Sequence, residues 1–170
     1  MKKTLALLLA VVMVVFMLLF RIVIVSCSSM YSTLWNGDWL LVTGSMFRQE
    51  LRYGDIIVAS KDSFRDGECI IKRVIATEGQ TIDIDFVTWT VTVDGKVVDE
   101  PYRKLASDGY ITSDWSYPLQ VPAGHVFVMG DNRNHSADSR CHDIGLIDER
   151  CIVGKALVRI FPLDRITVFD

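Results

Sequence analysis

Histidine is scarce in this 170-residue chain, three in all, and proline and cysteine number only four each. Cys27, Cys69, Cys141 and Cys151 form no CxxC pair and no Cys/His set at zinc-finger spacing, so neither a metal site nor a cofactor is expected. A Cys141–Cys151 disulfide stays open if the body lies in an oxidising compartment, with free buried thiols as the alternative. His125, His135 and His142 are the only imidazoles, and no setting nominates any of them for a Ser-His-Asp triad. Positive charge is also thin: Lys2, Lys3 and Arg21 account for the first 25 residues, and the remainder carries 15 basic against 21 acidic side chains. Such an acidic body argues against nucleic acid or anionic lipid as its main ligand, because both are held chiefly through Lys/Arg clusters.

What the chain has in excess is apolar residues at its start, 21 of the first 25. Thr4 to Phe20 is uncharged, and Ile22 to Val25 extends the run past Arg21. A helix of that extended length rises about 33 Å, enough to span a hydrocarbon core if Arg21 snorkels to the headgroups. The basic start sets the N-terminus in the cytoplasm by the positive-inside bias. The expected layout is a cytoplasmic stub at 1–3, a transmembrane anchor at 4–25 and an extracytoplasmic body at 26–170. A cleaved secretory signal would need a shorter apolar stretch and a small-x-small site before Ser26. Ile24 to Cys27 also looks like a lipobox that would lipidate Cys27. All three versions put the body outside.

Beyond Ser26 no 3.6-residue apolar period is sustained, whereas short β-rich runs recur about every ten residues between Gly, Asp, Asn and Pro. The candidates are Trp39–Thr43, Asp55–Ser60, Glu68–Ala76, Thr81–Phe86, Trp89–Val93, Val97–Asp99, His125–Met129, Val153–Phe161 and Ile166–Phe169. The fold class is therefore mainly antiparallel β with one N-terminal helix. Asp94-Gly95 signals a two-residue hairpin, since a type I′ turn needs positive φ at both central positions. A small hairpin and loop insertion is expected at about 79–120, with Pro101 to Pro122 as loop.

Three segments carry candidate chemistry: 26–34 just past the apolar run, Ile70 to Ile75, and Gly130 to Arg140. In an extended strand Lys72 shares a face with Ile70, Val74 and Ala76. If that face is buried, desolvation disfavours the ammonium, and a neutral amine can take a proton from a serine hydroxyl. If the strand is an edge, Lys72 is merely a solvated lysine. The third segment packs Asp131, Arg133, Asp138 and Arg140 among Asn and Ser, which suits a hydrogen-bonded loop because the Arg fork matches a carboxylate.

Together these segments resemble the boxes of type I signal peptidases, the membrane-anchored Ser-Lys proteases that remove signal peptides from exported proteins. The likeness runs in order through Ser29-Met30-x-x-Thr33-Leu34 with Gly37-Asp38, Tyr53-Gly54-Asp55-Ile56, Lys72-Arg73-Val74-Ile75, Gly130-Asp131-Asn132-Arg133, Ser136-x-Asp138-Ser139-Arg140, Ile144-Gly145 and Gly154-Lys155-Ala156. The resemblance implies Ser29 as nucleophile, Lys72 as general base, and Ser136 as a hydroxyl orienting the amine. It further implies a bracing salt-bridge network of Asp131, Arg73, Asp138 and Arg140, with Met30 lining the substrate cleft. Secretory preproteins and membrane lipid are the implied partners, and the cell membrane the implied location. Two departures stand out. Ser32 replaces the family's usual Pro, which removes a fixed φ. Cys27 replaces a Ser or Gly, and a thiol is a poorer oxyanion donor than a hydroxyl. A LexA-like self-cleaving protein shares the dyad but would carry a DNA-binding N-terminus and a scissile Ala-Gly or Cys-Gly bond of its own. A non-catalytic anchored β-domain that binds an exported partner is the alternative from another class.

Overall fold

The computed structural model describes residues 2–44, 50–60, 69–105 and 113–169. Glu68, at the head of one expected strand, and 106–112 of the expected loop lie outside them, as does Met1. The chain begins as an apolar helix, α1 (Lys2–Leu19), none of whose residues is buried. A helix apolar beyond its first residues and without a single buried one is suited to hydrocarbon, and among the described residues it is the one helix long and apolar enough to cross a membrane.

The helix stops earlier than the apolar run suggested. Residues 20–24 form a strand, β1 (Phe20–Ile24), paired antiparallel with β2 (Trp39–Thr43) in a register that runs from Phe20 opposite Thr43 to Ile24 opposite Trp39. The β-branched Ile22, Val23 and Ile24 suit a pleated ladder better than another helical turn, and β2 satisfies their backbone. Arg21 thus lies in β1 and not in the helix, paired with Val42 and itself exposed.

The body is built from antiparallel strands: β3 (Ile56–Ser60), β4 (Cys69–Ala76), β5 (Thr81–Asp85), β6 (Thr90–Val93), β7 (Lys96–Val97), β8 (Leu119–Gln120), β9 (His125–Met129), β10 (Ile147–Asp148), β11 (Ile152–Phe161) and β12 (Thr167–Val168). The main sheet runs β1-β2-β11-β3-β4-β9-β10, with β12 added to β11. A second sheet, β7-β6-β5-β8, is inserted between β4 and β9. The β6–β7 turn has φ of +52° at Asp94 and +74° at Gly95, as the hairpin signal required. β8 and β10 escaped the sequence reading because, unlike β7 and β12, these two-residue strands sit in no longer β-rich run. β8 lies inside the segment expected as loop.

Three apolar clusters fill the interior. One gathers Val25, Met30, Leu34, Leu40, Val42, Ile56, Val58 and Ile71. A second, around Ile75, Ile82, Ile84, Val91 and Phe127, joins the small sheet to the large one. The third sets Ile57, Ala59 and Val74 against Val126, Val128 and Ile147. Ile71 and Val74 fall in different clusters, as side chains on opposite faces of one strand must.

Candidate active site

Lys72 sits mid-strand in β4, opposite Ile57 of β3, on the face it shares with Val74. Only 4% of it is exposed. Its Nζ donates to Ser29 Oγ at 2.7 Å and to its neighbour's carbonyl, Ile71 O, at 3.2 Å. Burial lowers the Lys72 pKa from the usual lysine value, and the Asp138 carboxylate opposes that drop without cancelling it. Ser29 is itself 7% exposed, and the Cys27 thiol lies 3.5 Å from its Oγ.

Ser29 stands in a loop closed at its base by Val25 N to Asp38 O (2.9 Å) and Gly37 N to Val25 O (2.8 Å). Asn132 meets this loop from the far side: its N–H donates to Ser29 O at 3.0 Å and its side-chain amide to Ser28 O at 3.1 Å. Asn132 follows β9 by way of Gly130 and Asp131. A Cβ at Gly130 would stand 2.3 Å from Ser136 Oγ and 2.5 Å from Ser29 O, so only glycine lets the two serines close over this backbone.

Two buried ion pairs brace the site. Arg73, next to Lys72, grips Asp131 with both prongs, Nε to Oδ1 at 2.9 Å and Nη2 to Oδ2 at 2.7 Å. Asp131 also accepts the Thr33 hydroxyl, which ties the Ser29 loop to β4. Arg140 grips Asp138 in the same bidentate way, both bonds at 2.7 Å, while the Gly130 N–H adds a third at 2.9 Å. Burial alone would raise the Asp138 pKa, but Arg140, Ser136 and that N–H together hold it below the ordinary carboxylate range.

Ser29, Lys72, Arg73, Asp131, Asp138, Arg140 and Cys27 all lie in this one constellation. Two of the expected residues do something different. The Ser136 hydroxyl donates to Asp138 Oδ2 at 2.7 Å, whereas Lys72 Nζ bonds Ser29 and Ile71. Met30 has no exposed surface; it packs with Val25, Leu34 and Leu40 under the Ser29 turn instead of lining an open cleft. All four cysteines are free thiols.

Other partners had no sequence signal. Glu100 pairs with the buried Arg133, whose Nε also donates to Gly130 O at 3.0 Å, and Tyr102 lies 3.8 Å under the Arg73 guanidinium. Both come from the inserted region, Glu100 just after the expected strand Val97–Asp99 and Tyr102 in the segment expected as loop. Arg159 was hidden differently. In β11 the inward residues are Gly154 and Ala156, so alternation points Val158 inward and Arg159 to solvent. A bulge between Ala156 and Val158 shifts the pattern by one residue and buries Arg159.

A model of the family described as signal peptidase, peptidase S26, matches residues 1–161. Signal peptidase I of Bacillus amyloliquefaciens is 37% identical over 153 residues, 85% of this chain and 75% of that protein. Signal peptidase I T of Bacillus subtilis is also 37% identical, over 86% of this chain and 76% of its own length. Among solved structures, a signal peptidase I from Enterococcus faecalis superimposes with a TM-score of 0.51 at 28% identity, covering 63% of this chain and 97% of that one.

Proposed function

The chain belongs to the signal peptidase family, peptidase S26, and is a type I signal peptidase by enzyme class; from that premise we propose that it cuts exported preproteins with Ser29 as nucleophile and neutral Lys72 as general base. The observation that carries this reading is the 2.7 Å contact between two buried groups, Lys72 Nζ and Ser29 Oγ. Ser29 Oγ attacks the scissile carbonyl as Lys72 takes its proton. The amine then returns that proton to the leaving nitrogen, and water, activated by the same amine, releases the acyl group. The Ser29 N–H, aided by the Cys27 thiol, stabilises the oxyanion.

The substrate binds as an added strand. β4 pairs with β3 from Cys69 to Arg73, but on its other side β9 begins only at Arg73. Among the described residues no strand pairs with that edge of 69–72, and Lys72 is its last residue. An extended peptide docked there presents alternate side chains to the enzyme, and shallow pockets select small ones at −3 and −1 by rejecting larger groups. The layout is a cytoplasmic stub at 1–3, a membrane anchor through α1 and an extracytoplasmic catalytic body to 170. Ile22, Ile24, Trp39, Phe161, Leu163 and Ile166 are exposed on and beside the strands that continue from α1, and they suit contact with lipid. The testing experiment is processing of a preprotein carrying an Ala-x-Ala site: Ser29→Ala and Lys72→Ala are each expected to lose at least about 10³-fold in kcat. Either variant cutting at the wild-type rate would end the reading.

A further inference from the structure

We infer that Arg159 is a positioning residue for the cleavage reaction, fixing the turn behind Ser29 by holding the Thr33 carbonyl and the Asp38 carboxylate with one guanidinium. The inference rests on Ser29 being the nucleophile. Arg159 Nη1 donates to Thr33 O at 2.7 Å and to Asp38 Oδ2 at 3.1 Å. Its other nitrogens are anchored by Arg165 O at 2.7 Å and the Thr167 hydroxyl at 2.8 Å, so the fork has no freedom to turn away. Asp38 is fully buried and also accepts the Trp35 N–H at 2.9 Å, which makes its carboxylate the far wall of the nucleophile loop.

Thr33 is thus gripped twice. Its hydroxyl goes to Asp131, held by Arg73 beside the base; its carbonyl goes to Arg159, on a strand that touches neither reacting group. The two grips refer the position of Ser29 to Lys72 from opposite sides. Removing Arg159 leaves a buried carbonyl and a buried carboxylate each short of a donor, and Thr33 keeps only its hydroxyl grip on Asp131 while the turn relies on its local bonds and on Asn132. Misplacing Ser29 by a fraction of an ångström costs rate without touching the substrate-binding edge. Arg165 is the natural comparison. It pairs with Asp38 Oδ1 at 3.0 Å and is half-exposed, but its guanidinium makes no bond to Thr33.

The test uses the full chain in detergent micelles and an internally quenched peptide with an Ala-x-Ala site, at temperatures where thermal melts show each variant folded. Arg159→Gln is expected to lose about 10²-fold in kcat with KM within about twofold of wild type. Arg159→Lys, whose ammonium restores charge but not the fork, recovers about a tenth of the wild-type kcat. Arg165→Gln lowers the melting temperature yet keeps kcat within about twofold. Wild-type kcat in folded Arg159→Gln, or an equal loss in Arg165→Gln, overturns the inference. If Arg159→Gln does not fold, wild-type kcat in Arg159→Lys overturns it instead. An inactive wild type or an active Ser29→Ala removes the peptidase reading itself, and this inference with it.

Discussion

Lys72 sets stability and activity against each other. Burial lowers the pKa of its amine, so over a range of pH the folded chain holds it neutral while the unfolded chain carries it charged. The unfolded state binds more protons there, and stability rises with pH between the folded and unfolded pKa values, by up to about 1.4 kcal/mol per unit. On the proposed reading cleavage follows the same direction for a different reason: acidification protonates Lys72, and kcat/KM is expected to fall. Lys72→Met fills the site without an amine. It is expected to abolish cleavage and raise the melting temperature, most at acidic pH and little above the 10.5 of an ordinary lysine. Melting curves of both proteins across pH check this, and an unchanged or lowered melting temperature at acidic pH would refute it. The strand pattern around Lys72 allowed either a solvated or a buried amine. Which of the two holds depends on Ser29 arriving from 43 residues away, and no local period carries that.

Elements differ in how openly the sequence announces them. β2 and β9 were legible to the residue because each is a short β-rich run bounded by turn-forming neighbours. α1 was legible as a helix but not at its end, since Phe20 to Ile24 are apolar enough for either state and only pairing with β2 decides. The loop after β9 was legible through its motif, yet the reason for Gly130 appears only when Ser29 and Ser136 converge on it. Gly130→Ala must push one of those serines aside. The expected result is a loss of about 10²-fold in kcat, larger than any fall in the folded fraction. Circular dichroism and peptide cleavage on the same sample distinguish the two effects, and full activity in the folded variant would contradict the geometry. The β11 bulge makes the converse point: one extra residue exchanged the faces of Val158 and Arg159 and took a functional contact out of reach of alternation.

Across the whole molecule, several exposed apolar residues gather on the first strands of the main sheet, at the Ile24–Trp39 end of the β1–β2 ladder and not at the Phe20–Thr43 end that α1 enters. Trp39 stacks with Phe161 at a centroid distance of 5.7 Å, and Leu163 and Ile166 stand exposed just beyond. With the full chain in vesicles, brominated lipid is expected to quench part of the tryptophan emission, and Trp39→Phe to remove most of the quenched fraction. Emission indifferent to bromination would place this rim in water. The helix enters β1 with no intervening linker, and the Gly44 N–H donates to Leu19 O at 2.6 Å, locking the last helical turn to the end of β2. A tether of that kind has no slack. With α1 as the proposed membrane anchor, the Ser29–Lys72 site would ride at a set altitude above the headgroups, and the proposed peptidase would gauge how far a passing chain has emerged as well as what residues it displays.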